Sequence, residues 1–531
     1  MTMPVTRPAL PRVTYSNTGE DFSAVHAHLD AVLPAVRRHL LGRAQPNRIG
    51  GADDDSDGEA YDAASPIDRA LLLGRFTAAG AGAVDRAVTA AAEAGRDWGR
   101  RPWAERLAIL RQGAVAMERR KYELSAAALL EVGKSRLEAV GEVEEAIDLI
   151  RYYCDEMERA DGFDRPMQRA FPHEATRCVL RPYGVFAVIA PFNFPVALST
   201  GMMTAAMVGG NTVVYKPSPL AGLTGRLIVE CFVAGGLPDG VLNLLCGGAA
   251  TGEAMLTHPG IDGVAFTGSH AVGMDIFRRF AAGPQARPVL AEMGGKNPAY
   301  VTASADLDVA VAGVVRSAFG LQGQKCSALS TVFVADAVHD AFLERLTAAT
   351  EALTVGNPED AGVFMGPLIN EAALRRFDEA CAAGRADGTI LCGGDVLRGG
   401  VYDGGCYVRP TVIAGLPDDH RLHRDELFLP VLTVRRFIDL DAAIAAGNAV
   451  RYGLTAGLYS RELAEIEQFL ATAEAGVLYA NRPSGATTGA WPGIQTFCGW
   501  KGSGLTGKGG LGPWYVPQFM REQSHTLMGW E

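Results

Sequence analysis

Apolar residues recur every three or four positions through AVDRAVTAAAEAGRDW, ERLAILRQGAVAMERR and LSAAALLEVGKSRLEAVGEVEEAIDLIRYY. That spacing predicts amphipathic helices between Gly82 and Met157. An irregular, polar passage runs from Gly162 to Val179, and beyond it the pattern changes. Short continuous apolar runs, RPYGVFAVIA, NTVVYKPS, VLNLLCGG and GVAFTGS, alternate with helical stretches, one ending near Ala234 and another starting near Ala271. Strands alternating with crossover helices predict a parallel, doubly wound sheet. A second alternating block, from 292 to about 480, has strands at STVFVAD, GTILCGG, YVRPTVIAG and LPVLTVRRF and predicts a second α/β domain. Upstream, a helix is expected near Phe22 to Leu41. Downstream, YVPQFMREQSHTL reads as a strand able to pair with another subunit's edge.

The uncharged stretch from Gly184 to Tyr215 is long enough to cross a bilayer. Pro191, Asn193, Pro195, Gly209 and Gly210 interrupt it, so it is read as buried strand, loop, helix and strand. No membrane association is expected.

Composition narrows the partners. The 531 residues are 48% hydrophobic and 21% charged, ordinary globular material with room for two or three domains. A net charge of −11 disfavours nucleic acid and anionic membranes and points to small molecules. Nine scattered cysteines without CxxC pairs suit a reducing cytoplasm, and the first residues lack the apolar core of an export signal. A cytoplasmic protein is expected.

Two near-motifs fail on inspection. Asp53, Asp55, Asp57 and Gly58 match the first half of a calcium loop, but its twelfth position is Ala64, so a solvated acidic turn is expected and no metal site. GSGLTGKGG spaces Gly502, Gly507 and Lys508 like a phosphate-binding loop, yet Gly509 follows and GGLGPWYVP cannot open a helix.

The chemistry concentrates between Leu290 and Ser330. Cys326 can attack a carbonyl, and Glu292, 34 residues earlier, is the nearest candidate base to bring water to the acyl carbon. Doubly wound sheets bind ligands at the carboxyl ends of their strands, so the loops after VIA, VVYK, LLC and AFTG should matter. Lys216 can donate to ribose or phosphate oxygens, and Gly268 to Gly273 opens a helix as a phosphate turn would. The spacing departs from GxGxxG, so dinucleotide site and plain tight turns both remain open on spacing alone.

These loops occur together in one family. PFNFP at 191–195, KPS at 216–218, FTGS at 266–269, EMGGKNP at 292–298, GQKCS at 323–327 and DELFLPV at 425–431 resemble the NAD(P)-dependent aldehyde dehydrogenases over roughly residues 60 to 525. The resemblance implies an α/β fold with a Rossmann-type cofactor domain, an α/β catalytic domain and a small β oligomerisation arm. In residue ranges it implies an extension over 1–60, a dinucleotide-binding domain from 61–162 and 183–291, a catalytic domain from 292–480, and oligomerisation segments at 163–182 and 500–531. A homodimer or larger homo-oligomer follows from the same likeness.

It implies further that Cys326 is the nucleophile, that the amide of Asn193 and the N–H of Cys326 hold the oxyanion, and that Glu292 activates the hydrolytic water. Lys216 and Ser218 would hold the adenosine ribose, Gly268, Ser269 and Gly273 the pyrophosphate, and Glu426 with Phe428 the nicotinamide ribose and its surroundings. Relatives that prefer NAD often carry Glu three residues after the lysine; here that residue is Pro219, so NAD is the first expectation and NADP the second. Leu429 stands where the motif usually has glycine, a change expected to reshape the nicotinamide pocket.

Within the family, EVGKSRLEAVGEVEEAIDLIRYY, YANRPSGA at 479–486 and KGGLGPWYVPQFMREQS resemble the glutamate γ-semialdehyde (1-pyrroline-5-carboxylate) dehydrogenases most. By position, Ser327, Gly485 and Ala486 would grip the substrate α-carboxylate and Phe497 would pack on its aliphatic chain. TTGAWPGIQT, between Ala486 and Phe497, is longer than that group's connection, and its QPFGG has become QTFCG. For Trp491 and Pro492 three outcomes stay open: a substrate tunnel narrowed, redirected or left untouched. A different aldehyde is the runner-up, and a non-catalytic nucleotide-binding or scaffold protein is the alternative outside enzymology.

Overall fold

The computed structural model describes residues 10–17, 19–483 and 491–529. Its first large sheet has seven strands in the order Val289–Glu292, Gly263–Thr267, Val185–Ile189, Thr212–Lys216, Leu242–Leu244, Asn47–Ile49 and Ala52–Asp54. The first five are mutually parallel and the last two antiparallel. Side chains alternate across it. Val188, Val213 and Tyr215 join one buried cluster with Met203 and Met207 of the helix Ala197–Val208. Ala187, Val214 and Val264 join another with Val84 and Val88 of the helix Ala81–Trp98. Burial on both faces is why these strands read as unbroken apolar runs, and each such side chain contributes about 1.5–3 kcal/mol on leaving water.

The second large sheet runs Thr389–Cys392, Thr411–Ala414, Val431–Phe437, Leu329–Ala335, Asn297–Val301, Thr455–Tyr459 and Val477–Ala480. All its pairings are parallel except the first. The uncharged 184–215 stretch forms strand, loop, helix and strand, and among the described residues no helix is long and apolar enough to cross a membrane.

Three placements differ from the sequence reading. Residues 43–54, expected in an extension, supply strands to two sheets: Arg43–Gln45 pairs with Leu72–Thr77, and Asn47–Ile49 and Ala52–Asp54 widen the first large sheet. Glu174–Pro182, inside the passage read as irregular, is a nine-residue strand. Its side chains lie half-exposed or exposed apart from Val179, so no apolar alternation marks it. It pairs antiparallel with Met520–Met528 of the same chain along its whole length, while Asp164–Pro166 takes its other side.

The arm is thus 164–182 with 520–528. Residues 500–519, expected to belong to it, stay with the body of the protein because Leu511, Tyr515, Val516 and Phe519 are buried there. The acidic turn at 53–58 is tied to its neighbours: Asp57 accepts from the Ala83 N–H at the start of the helix Ala81–Trp98, and Asp53 meets Arg226 at 2.8 Å.

Candidate active site

The carboxyl edge of the first large sheet faces the amino edge of the second. Strands end there at Ile189, Lys216, Leu244, Thr267 and Glu292, and the turn Met293–Lys296 crosses to Asn297, the start of a strand in the second sheet. Cys326 stands three residues before the strand Leu329–Ala335, which pairs with Asn297–Val301. The two candidate reactive groups, separated along the chain by the strand Asn297–Val301 and the helix Leu307–Phe319, thereby meet in a single cavity of about 110 Å³, lined also by Ser327, Phe497, Thr267 and Met293.

The loop that carries Cys326 is held under constraint. Leu321 and Gln322 adopt positive φ of 48° and 57°, a conformation that side chains with a Cβ tolerate only when their surroundings impose it. Gln322 is pinned by its amide to the Gly133 carbonyl at 2.7 Å, and Gln324 accepts from the Ile369 N–H at 3.0 Å. Asn297 donates to the carbonyls of Cys326 and Ala328, both at 2.8 Å, and accepts from the Thr455 N–H at 3.0 Å. At Gly295 an added Cβ would lie 2.4 Å from the Cys326 carbonyl, so only glycine fits.

Asn193 is buried and donates one amide hydrogen to the Gln324 carbonyl at 3.0 Å. Its second amide hydrogen is left over for another acceptor. The loop that carries it leads into the helix Ala197–Val208, whose Ala197 N–H and preceding Val196 N–H are accepted by Glu142 at 3.2 and 2.7 Å. Glu142 in turn pairs with Lys134 at 2.6 Å, both side chains fully buried.

Burial pushes the Cys326 thiol up to about 12, with the carboxylates of Glu426 and Glu292 adding to the rise and the Ser327 N–H opposing it. Burial likewise raises the Glu292 carboxyl well above its ordinary range, with the Gly499 N–H opposing at 3.3 Å. A buried thiol and a buried carboxyl in one cavity, both held above their ordinary values, suit covalent attack on a carbonyl followed by base-assisted hydrolysis.

The model of the aldehyde dehydrogenase family matches residues 53–524. The chain belongs to that family. It is 36% identical to the 1-pyrroline-5-carboxylate dehydrogenase of Geobacillus thermodenitrificans over 96% of this chain and 98% of that one. Among solved structures, 1-pyrroline-5-carboxylate dehydrogenase from Thermus with bound NAD superposes with a TM-score of 0.91 at 33% identity, covering 99% of this chain and 100% of that one. Proline utilization A from Bdellovibrio bacteriovorus superposes with a TM-score of 0.89 at 35% identity; it covers 94% of this chain, which spans 52% of that longer protein.

An aldehyde dehydrogenase fold implies a nicotinamide dinucleotide, and the loops here fit one. Lys216 is buried, donates among the described residues only to the carbonyls of Pro217 and Gly247 at 3.1 Å each, and is pulled down to about 8 by burial. Its ammonium therefore keeps a donor for a ligand oxygen. The helix His270–Ala281 opens at exposed Ser269, whose hydroxyl accepts from the Val272 N–H and leaves the first-turn amides pointing outward, the usual setting for a phosphate. Ser218 shapes the neighbouring turn by accepting from the Leu220 N–H. Glu426 accepts from the Gly295 N–H at 3.0 Å, and Phe428 stands edge-on to Phe192 with ring centres 6.0 Å apart.

Gly268 and Gly273 also serve packing. A Cβ at Gly268 would fall 2.5 Å from the Phe266 ring and one at Gly273 2.5 Å from the Met293 sulfur. Leu429, expected to reshape the nicotinamide pocket, is buried in a cluster with Ile413, Leu422 and Val431. Gly485 and Ala486 lie outside the described residues.

Four residues that bear on the site were missed from the sequence. Asn297 and Glu142 hold the loops of Cys326 and Asn193, while Tyr15 and Glu145 line the cavity itself. A signal for the acids existed: Glu138, Glu142 and Glu145 repeat at helical spacing on one face of Arg136–Arg159, a helix whose buried residues include Val143, Ala146 and Leu149. Nothing in the sequence pairs Tyr15 with them.

Proposed function

We propose that this aldehyde dehydrogenase oxidises glutamate γ-semialdehyde to glutamate in proline breakdown, using NAD. The observation that carries the reading is the convergence of Cys326, Glu292, Ser327 and Phe497 on one cavity, in a chain that matches 1-pyrroline-5-carboxylate dehydrogenases from end to end. Cys326, once deprotonated, forms a bond to the aldehyde carbon, and the Asn193 amide with the Cys326 N–H receives the resulting oxyanion. A bound nicotinamide supplies the hydride acceptor that carries this adduct to the thioester level. Glu292 then takes a proton from water as its oxygen adds to the thioester carbon, and the Cys326 sulfur leaves with the acid released.

Ser327, with the backbone of Gly485 and Ala486, is proposed to receive the substrate α-carboxylate, and Phe497 its methylene chain. Lys216, Ser218, Ser269, Glu426 and Phe428 are proposed to hold the dinucleotide. With Pro219 in place of an acidic residue, the loop lacks the charge that would repel a 2′-phosphate, so NADP is expected to support turnover as the second cofactor. The arm formed by Glu174–Pro182 and Met520–Met528 presents exposed Leu527 and Met528, and we assign it to a homodimer or larger homo-oligomer of a cytoplasmic enzyme.

Steady-state assays over a panel of aldehydes with NAD and NADP test this reading. A kcat/KM for glutamate γ-semialdehyde well above that for simple aliphatic aldehydes is expected; equal values would remove the proline-catabolic assignment.

A further inference from the structure

The substrate cavity has a wall that comes from the far end of the chain. Tyr15 is buried, lines the cavity that holds Cys326 and Glu292, and donates its hydroxyl to Glu145 at 2.7 Å. Its ring meets the Phe194 ring edge-on, with centres 6.3 Å apart. Phe194 follows the oxyanion residue Asn193. Tyr15 and Phe194 both also line a second, water-sized chamber of about 10 Å³, bounded by Lys134, Glu138, Arg316 and Lys325. The two rings therefore form the partition between an apolar substrate cavity and a charged chamber behind it.

The seat for this ring is built, and it is latched. Gly141 lies inside the helix Arg136–Arg159, where glycine costs about 1 kcal/mol relative to alanine. A Cβ there would sit 3.2 Å from Tyr15 Cε1, so the glycine leaves room for the ring. Outside, Arg12 pairs with Asp148, and its guanidinium lies 5.5 Å from the centre of the Trp491 ring. The Trp491 indole N–H donates to the same Asp148 at 2.7 Å, and its ring stands edge-on to Tyr15 at 5.6 Å. Trp491, within the longer connection after Ala486, and the N-terminal segment thus clamp one acid on the helix that carries Glu145.

We infer that Tyr15 is a specificity-determining residue: its ring closes the substrate cavity against longer aldehydes, and the Arg12–Asp148–Trp491 latch holds it there. The inference rests on the reading of the Cys326 cavity as the substrate chamber. Fit in an apolar pocket is worth about 10- to 200-fold per methylene, so removing the wall should be read in relative rates.

The test is a series of straight-chain aldehydes from propanal to octanal, assayed with the full-length enzyme and NAD. Tyr15→Ala should raise kcat/KM for the longest aldehydes relative to the shortest by at least about tenfold, at the low end of that range, chiefly through KM, with kcat for the short ones retained. Gly141→Leu, which evicts the ring from behind without touching the cavity, should shift the ratio in the same direction and carries the test whether or not Tyr15→Ala folds. Tyr15→Phe keeps the ring and should leave the length ratio within about twofold of the parent, well inside the tenfold effect expected of one methylene. An unchanged ratio in Gly141→Leu and in a folded Tyr15→Ala, or an equal shift in Tyr15→Phe, overturns the inference. Cys326→Ala, run alongside, should abolish oxidation of every aldehyde. Residual turnover there would instead overturn the assignment of the chamber.

Discussion

Replacing Lys134 with methionine tests how the oxyanion loop is held. Lys134 and Glu142 are 2.6 Å apart with both side chains fully excluded from water, and the Lys134 ammonium also lies 3.8 Å over the Phe194 ring. Glu142 bonds the backbone amides of Val196 and Ala197, so this pair anchors the segment that presents Asn193. Removing one partner of a buried pair leaves an uncompensated charge and costs about 3–5 kcal/mol. The two amide bonds that Glu142 keeps place the expected loss at the low end, about 3 kcal/mol. For a cooperative unit the size of the cofactor domain, that corresponds to a Tm lower by about 6–12 °C. The double variant Lys134→Met with Glu142→Gln removes the stranded charge while retaining an acceptor for the two amides, and should recover at least half of the loss. Differential scanning calorimetry of both variants reads the effect, and kcat of the single variant reports whether Asn193 has moved. A Lys134→Met protein that melts with the parent, or a double variant less stable than the single one, would refute the argument.

Four further outcomes follow from the geometry. Because burial holds both the Cys326 thiol, at about 12, and the Glu292 carboxyl above their ordinary values, the reactive forms are deprotonated ones gained as pH rises. kcat/KM should therefore climb from neutral into alkaline pH, and a profile falling over that range contradicts the assignment. Asn193→Ala should lower kcat by about 10²–10³-fold with dinucleotide affinity unchanged, as read by steady-state kinetics and fluorescence titration. Asn297→Ala strips the Cys326 and Ala328 carbonyls of their donor and should cost about 2–4 kcal/mol of stability, while altering the rate of Cys326 alkylation. Lys216→Met should weaken dinucleotide binding by about tenfold, a loss of one charge-assisted hydrogen bond; in the parent, affinity should decline as pH rises past about 8, where Lys216 loses its proton.

Much of the core was legible because its strands are buried on both faces. The runs around Val185–Ile189, Thr212–Lys216 and Gly263–Thr267 are apolar throughout, and the loops at their ends carry the residues that reach the site. Cys326 and Glu292 were singled out for a different reason: they stand 34 residues apart in one stretch, and the strand Asn297–Val301 and the helix Leu307–Phe319 between them return the chain to the same cavity. What stayed hidden depends on contacts between distant segments. Tyr15 meets Glu145 across 130 positions, and Trp491 meets Asp148 across 343, separations that no local pattern encodes. The strand Glu174–Pro182 was unreadable because its faces are mostly exposed, and Leu429 because a hydrophobic residue in a loop does not reveal which way it turns.

The central claim is a covalent acyl-enzyme on Cys326, resolved by Glu292. Intact-protein and peptide mass spectrometry of the Glu292→Gln variant, mixed with NAD and glutamate γ-semialdehyde, tests it most directly. A glutamyl group on Cys326, formed with one equivalent of NADH and then persisting, is the expected result. No adduct, or an adduct on a different residue, would contradict it.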